Sequence, residues 1–282
     1  MDSKPPAYTR NEEVEYAGAE KTPEHLARVT SPSTTLTTQA STDAAFRTTF
    51  ASLSLHRNDR IRLLGFSQED VIGIETVIKQ RWAKGIQDKR PYGPSREFKL
   101  YGSPWNPSSW FEDEKTAARR LMCGLLESLY NMGWVLKAAV DIIKKDGDKD
   151  TLLFRHQQPP PPPCNWLCIS FNRADILRLF DAPQDVCQAL VLALGRKVQR
   201  SYTQGSAFEI KFNGYPWKAN GTETVETRAI LLTLLNTLEQ FGFSLYGSIQ
   251  QDSKQGEEHV AVDTWFCNRQ VNWTPGAPIY HG

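Results

Sequence analysis

Two patterns of apolar residues alternate along most of this chain. Over residues 68–84 and 183–200 the apolar positions fall at helical spacing, with Val71, Ile74 and Ile78 in the first stretch and Val186, Leu190 and Leu194 in the second. Acids near the start of each and bases near the end suit the helix dipole, which predicts a first helix. Residues 112–132 and 223–241 start acidic and carry Leu, Ile and Met three and four apart; the Gly after each suits a left-handed C-terminal residue, which predicts a second helix. In 97–102 and 209–214, Phe98 and Leu100, or Ile210 and Phe212, alternate with Glu and Lys, the mark of a strand with one buried and one wet face. Alternation returns at Leu136, Ala138, Val140 and Ile142, and Lys145-Asp146-Gly147-Asp148 turns the chain toward Leu152 and Phe154, a predicted hairpin that the second stretch repeats through 253–258. Leading strands are expected at about 50–56 and 165–171.

These elements belong to a duplication. Glu97-Phe98-Lys99-Leu100-Tyr101-Gly102-Ser103-Pro104-Trp105 returns as Glu209-Ile210-Lys211-Phe212-Asn213-Gly214-Tyr215-Pro216-Trp217, keeping Glu, Lys, Gly, Pro and Trp. Arg119, Leu125, Leu129, Gly133 and Leu136 fall opposite Arg228, Leu234, Leu238, Gly242 and Leu245. Upstream, Ile61, Leu64, Asp70, Val71 and Arg81 are set against Ile176, Leu179, Asp185, Val186 and Arg196. The expected fold is α+β: two tandem copies of a β-α-β-α-β-β unit, helices on one face of a mainly antiparallel sheet, after a disordered N-terminal tail. The organisation is a tail at 1–49, a first repeat at 50–156, a polyproline linker at 157–164, a second repeat at 165–270 and a C-terminal tail at 271–282. Five consecutive prolines, Pro159 to Pro163, form a semi-rigid spacer able to hold the copies apart without packing. Residues 1–49 carry Ser/Thr clusters and no sustained period, too little apolar surface to offset chain entropy. Thr22-Pro23 and Ser31-Pro32 have the form of proline-directed phosphorylation sites.

Composition narrows the function. A net charge of +1 gives no whole-molecule attraction to phosphate backbones, which disfavours nucleic acid as a partner. No run of 18 apolar residues occurs and no leader of secretory type is read, so the expected location is the cytoplasm or nucleus. Five cysteines, with Cys164 and Cys168 the only close pair, indicate neither a disulfide framework nor a metal knuckle. Cys123, Cys168 and Cys187 lie in apolar runs and read as buried, inert thiols. His25, His56, His156, His259 and His281 lack recurring Cys or acidic partners, no nucleophile or nucleotide motif occurs, and no catalytic residue, metal or cofactor is assigned. Asn220 and Asn272 match the glycosylation pattern but should stay unmodified without secretion.

Three candidate sites remain. Pro5-Pro6-Ala7-Tyr8 fits the PPxY pattern and resembles the peptide ligands of WW domains, such as those of HECT-type ubiquitin ligases. Consecutive prolines pre-set an extended helix whose rings slot between aromatic side chains while Tyr8 fills a second pocket. The resemblance implies Pro5, Pro6 and Tyr8 as partner-binding residues and is silent on the folded part. The corners Gly102, Pro104, Trp105 and Gly214, Pro216, Trp217 follow a strand and precede a helix, where open sheets place ligands, although a Trp there more often packs under the helix. Arg119 and Arg228, early in the second helices, either pair with acids or form matched anion contacts. The basic stretch from Lys79 to Lys99 reads as a solvated helix end and loop. The sum is a non-enzymatic interaction or adaptor protein. The alternatives are a nucleic-acid reader using the sheet faces, or an enzyme with its site between the repeats.

Overall fold

The computed structural model describes residues 48–107, 112–141, 149–251 and 263–279. The motif at Pro5, Pro6 and Tyr8, nearly all of the 1–49 segment, and the turns at 142–148 and 253–258 lie outside the described residues, as do His25, His259 and His281. The first repeat runs β1 (Phe50–His56), β2 (Arg60–Leu64), α1 (Gln68–Arg81), β3 (Ile86–Tyr92), β4 (Ser95–Leu100), α2 (Glu112–Asn131), β5 (Trp134–Val140) and β6 (Thr151–His156). The second repeats it as β7 (Cys164–Asn172), β8 (Ile176–Phe180), α3 (Gln184–Leu194), β9 (Val198–Gln204), β10 (Ala207–Phe212), α4 (Glu223–Gln240), β11 (Ser244–Ile249) and β12 (Thr264–Gln270). The sheets have orders β3-β4-β2-β1-β6-β5 and β9-β10-β8-β7-β12-β11, the same topology twice, with every neighbouring pair antiparallel.

The α+β duplication is observed, and each copy carries two strands beyond the expected β-α-β-α-β-β order. The first, β2 or β8, completes a hairpin with the leading strand across the short turns at Arg57 and Arg173, both with left-handed φ. The second, β3 or β9, is the outermost strand and takes up residues expected to be helix end and loop: α1 stops at Arg81 and α3 at Leu194. All but the first residue of β3 and of β9 are exposed, so neither shows an apolar period; charges and Pro91 suit a strand that must not pair further.

Local chemistry accounts for the helix ends. Ser67 Oγ accepts from Asp70 N (3.1 Å) and Asp70 Oδ2 accepts from Ser67 N (2.9 Å), a reciprocal cap that starts α1. Gly133 and Gly242 close α2 and α4 at φ of 91° and 79°, as their place in the sequence predicts. A Cβ at Gly133 would lie 2.6 Å from the Gln157 carbonyl oxygen, and one at Gly242 would lie 2.3 Å from the Trp273 ring, so the backbone is also pinned from outside.

Strand pairing corrects the upstream alignment by one residue. Ser52 pairs with Leu64, and Cys168 with Phe180, while Arg62 faces Glu97 and Arg178 faces Glu209. Leu64 therefore matches Phe180 rather than Leu179, and Ile61 matches Leu177 rather than Ile176. The α1 set Val71, Ile74, Ile78 matches Cys187, Leu190, Leu194, all buried at spacings of three and four. The slip arises because β8 is buried at all five positions, so its alternation is hidden.

The copies pack on each other, and the proline run joins two touching bodies rather than spacing them. In each repeat the two helices cover one face of their own sheet. The other face of the second sheet, with Trp166, Cys168, Phe180 and Phe266, enters the core of the first repeat against α2. Lying between two sheets, α2 is buried all round its middle, from Leu121 through Leu126, whereas α4 buries only the face with Ile230, Leu234, Thr237 and Leu238. Rings of Tyr130, Trp166 and Tyr246 meet edge to face at 4.8–5.6 Å. Across the same junction Leu136 N donates to Tyr246 Oη (2.7 Å) and Gln250 N to Asp150 Oδ2 (2.8 Å).

Candidate functional site

The face of the first sheet that points away from its helices is the counterpart of the face that α2 covers on the second. Strand register makes the match residue by residue. Ser52 lies between Leu64 and Leu153 as Cys168 lies between Phe180 and Phe266, and Phe50 faces Arg155 as Trp166 faces Asn268. In the second repeat these apolar side chains are at most 8% exposed. In the first, Phe50 is 63%, Leu64 45% and Leu153 39% exposed. Phe50, Leu64 and Leu153 thus stand exposed on one face of the sheet, around Ser52.

Beside this apolar patch the same face is cationic. Glu97, itself buried, accepts from Arg60, from Arg62 Nε (2.7 Å) and from Arg90 Nε (2.9 Å). Burial alone would raise the Glu97 carboxyl, but the guanidinium hydrogen bonds from Arg62, Arg90 and Arg60 outweigh it and hold its pKa below the usual carboxylate range. Arg62 also stacks on Tyr92, 3.7 Å from the ring centroid. Lys99 is 3.9 Å from Asp59. The second repeat keeps the inner pairs, Arg178 with Glu209 (2.8 Å) and Lys211 with Asp175 (3.4 Å), but places Tyr202 where the first has Arg90. The Tyr202 hydroxyl donates to Glu209, which raises its pKa. The Glu shared by the two copies is thus explained by pairs with neighbouring strands, and the shared Lys by pairs with the β1–β2 or β7–β8 turn.

The Gly-x-Pro-Trp corners serve the fold. Trp105 is fully buried and its Nε1 donates to the Arg60 carbonyl; Trp217 Nε1 makes the matching bond to Ile176, both at 3.0 Å. Their backbone N–H groups donate to Asn58 and Ala174, fastening each corner to the β1–β2 or β7–β8 turn. Gly102 and Gly214 allow the corner at φ of 78° and 74°. Pro104 is buried and Pro216 half-buried; Trp217 is likewise half-buried, against Phe171 and Phe212. Arg119 is buried in α2, whereas Arg228 is exposed and reaches Thr224 Oγ1 (3.3 Å), so the two do not share an environment.

Between the repeats lies a cleft of about 400 Å³. Its charges are already engaged: Arg81 with Glu127 (3.2 Å), Arg120 with Asp181 (2.5 Å), and Arg269 with the Phe241 carbonyl (3.1 Å). Cys123, on its wall, faces Cys168, and this contact together with burial pushes the Cys123 thiol well up. Burial pushes the Cys187 thiol up to about 11. All five cysteines are buried and free, the state expected of inert core thiols. His56 shares a hydrogen bond with Ser54 Oγ (2.8 Å), and His156 lies against the Trp134 ring and near the Met132 carbonyl oxygen (3.2 Å). Among the described residues no helix is long and apolar enough to cross a membrane.

Sequence reasoning missed Phe50, Leu64, Leu153, Arg62, Arg90 and Arg155. The signal was in the duplication itself: where β1 reads Phe-Ala-Ser-Leu-Ser-Leu-His and alternates, the matching part of β7 reads Trp-Leu-Cys-Ile-Ser-Phe-Asn, with four apolar residues in a row. A strand apolar on both sides is covered on both sides.

No curated protein matches the chain. A crystal structure of a conserved kinetoplastid-specific protein from Trypanosoma cruzi is similar at 19% identity, with a TM-score of 0.30, over 39% of this chain and all of that one. One family model, described only as a domain, matches twice, at residues 49–155 and 165–268, together well over half of the chain. The chain belongs to that domain family and carries two of its domains in tandem.

Proposed function

We propose that this chain is a non-enzymatic interaction protein of the cytoplasm or nucleus, an adaptor with two binding elements. One is the peptide Pro5-Pro6-Ala7-Tyr8, a ligand for a WW domain such as that of a HECT-type ubiquitin ligase. The other is the open face of the first sheet. The observation that carries the reading is that Phe50, Leu64 and Leu153 stand exposed where their counterparts in the second repeat bind a helix. A second reading is favoured by the cations of that face: Arg60, Arg62, Arg90, Lys99 and Arg155 against Glu97 and Asp59 would suit a nucleic-acid backbone.

Titration of the full chain and its Tyr8→Ala variant against a panel of WW domains tests the first element. Wild type should bind with a Kd of about 1 µM, near −8 kcal/mol, because a short peptide buries little area. Tyr8→Ala should abolish binding by emptying the second pocket, and Pro6→Ala should weaken it, with the melting of the repeats unchanged. Equal binding by wild type and Tyr8→Ala, or none by either, removes the tail from the reading. Strongly salt-dependent retention on single- or double-stranded nucleic acid, lost in Arg62→Ala, would favour the second reading.

A further inference from the structure

The junction between the repeats is a one-directional contact, and each of its two sides has a counterpart in the other repeat that this contact does not use. On the helix side, α2 presents Arg120, Cys123, Glu127 and Tyr130, one face at helical spacing. Arg120 pairs with Asp181, Cys123 meets Cys168 and Tyr130 meets Trp166. The Arg119/Arg228 and Gly133/Gly242 equivalences carry these positions onto α4 as Ala229, Leu232, Asn236 and Glu239, with Val225 one turn earlier. Leu232 is 61% and Val225 62% exposed. Leu136, whose N–H donates to Tyr246 across the junction, becomes Leu245, itself 38% exposed. On the sheet side, the counterpart of Trp166, Cys168, Phe180 and Phe266 is Phe50, Ser52, Leu64 and Leu153, of which Phe50, Leu64 and Leu153 are exposed.

We infer that the partner of the open sheet face is a second copy of this chain, whose α4 docks there as α2 docks on the second sheet within one chain. This rests on reading that face as a docking surface. Two features support a second copy as occupant. Both surfaces are exposed in the same polypeptide, and each occupies the positions of a contact the fold already makes, with different side chains: Leu232 stands where Cys123 does and Ser52 where Cys168 does. Charge also agrees in sign: the sheet face carries Arg62 and Arg90 around the single Glu97, together with Arg155, and α4 begins with Glu223 and Glu226, the latter paired with Lys197. Because the two surfaces differ, the contact is heterologous and joins chains head to tail, instead of closing a two-fold pair. The assembly continues the stacking of repeats that the chain itself begins.

Sedimentation velocity on the full chain, with Leu153→Arg on the sheet side and Leu232→Arg on the helix side, tests the inference. Wild type should grow with concentration into dimers and longer species. Each variant alone should associate at least about tenfold more weakly, as loss of a central apolar contact does. An equimolar mixture of the two should form a 1:1 dimer and stop there, because each variant keeps one sound surface. Both positions are exposed, so the variants should melt as wild type; if one does not, Leu64→Lys or Val225→Lys replaces it. A wild type that stays monomeric up to about 1 mM, or a mixture no larger than either variant alone, overturns the inference. The two readings fail separately: a monomeric chain that still binds a WW domain through Tyr8 loses only the self-partner. A self-associating chain that ignores every WW domain loses only the tail.

Discussion

The two repeats share one topology and differ in what lies on the outer face of the sheet. In the second repeat that face is part of a core, with Trp166, Cys168, Phe180 and Phe266 against α2. In the first, Phe50, Ser52, Leu64 and Leu153 occupy the same register and meet solvent. Duplication has produced a sheet whose outer face accepts a helix and, beside it, a second sheet with the same face still open. Ion pairs follow the same division. Both copies keep a buried Glu, but the open copy surrounds it with three arginines, whereas the covered copy uses Arg178 and the neutral Tyr202.

The largest expected contrast lies at matched positions of that face. Phe266→Ala should cost about 3–5 kcal/mol, as truncation of a fully buried aromatic does, whereas Leu153→Ala, at 39% exposure, should cost less than about 1 kcal/mol. Chemical denaturation of both variants reads the difference, and similar losses would mean that the two faces are equally covered. The corners give a milder contrast. Trp105→Ala should lose about 3–5 kcal/mol and half-buried Trp217→Ala about 2 kcal/mol in the same measurement.

Glu97 links the comparison to pH. Its folded pKa lies below the ordinary value near 4.5, so the folded state binds the proton less readily than the unfolded chain. The stability it contributes is fully present above about pH 4.5 and is lost as pH falls through its depressed folded pKa. Glu97→Gln should therefore cost about 1–3 kcal/mol at pH 7 and should narrow that gap from wild type in denaturation curves taken below pH 4. A gap independent of pH would show that Glu97 is not held ionised by the arginines. The smallest effect is expected at the rim of the junction. Arg120→Ala removes a partly exposed pair with Asp181 and should change stability by only about 0.5 kcal/mol, weakening further in high salt.

Much of this architecture was legible because each element could be read twice. Helices α2 and α4, their closing glycines, strands β4 and β10, and the leading strands all follow from periodicity that recurs at matched positions. The outermost strands β3 and β9 were not legible: one sheet neighbour and no buried face leave charge and Pro91 in place of alternation. Strand β8 misled in the opposite way, since burial on both faces erased the alternation that fixes register. The corner motif was visible as a repeat, but its role depends on carbonyls of Arg60 and Ile176, about forty residues earlier in sequence, which only pairing reveals. The open face escaped because single exposed residues such as Leu64 and Leu153 mean little until register places them side by side.

The central claim is that Leu153 lies on a face open within one chain and covered by another. Thiol labelling of a Leu153→Cys variant tests it directly, because the five native cysteines are buried and should react slowly. The account predicts rapid labelling in dilute solution, protection as unlabelled wild-type chain is added, and little protection when the added chain carries Leu232→Arg. A thiol at position 153 that is unreactive even when dilute, or equally reactive at every concentration of added chain, would contradict it.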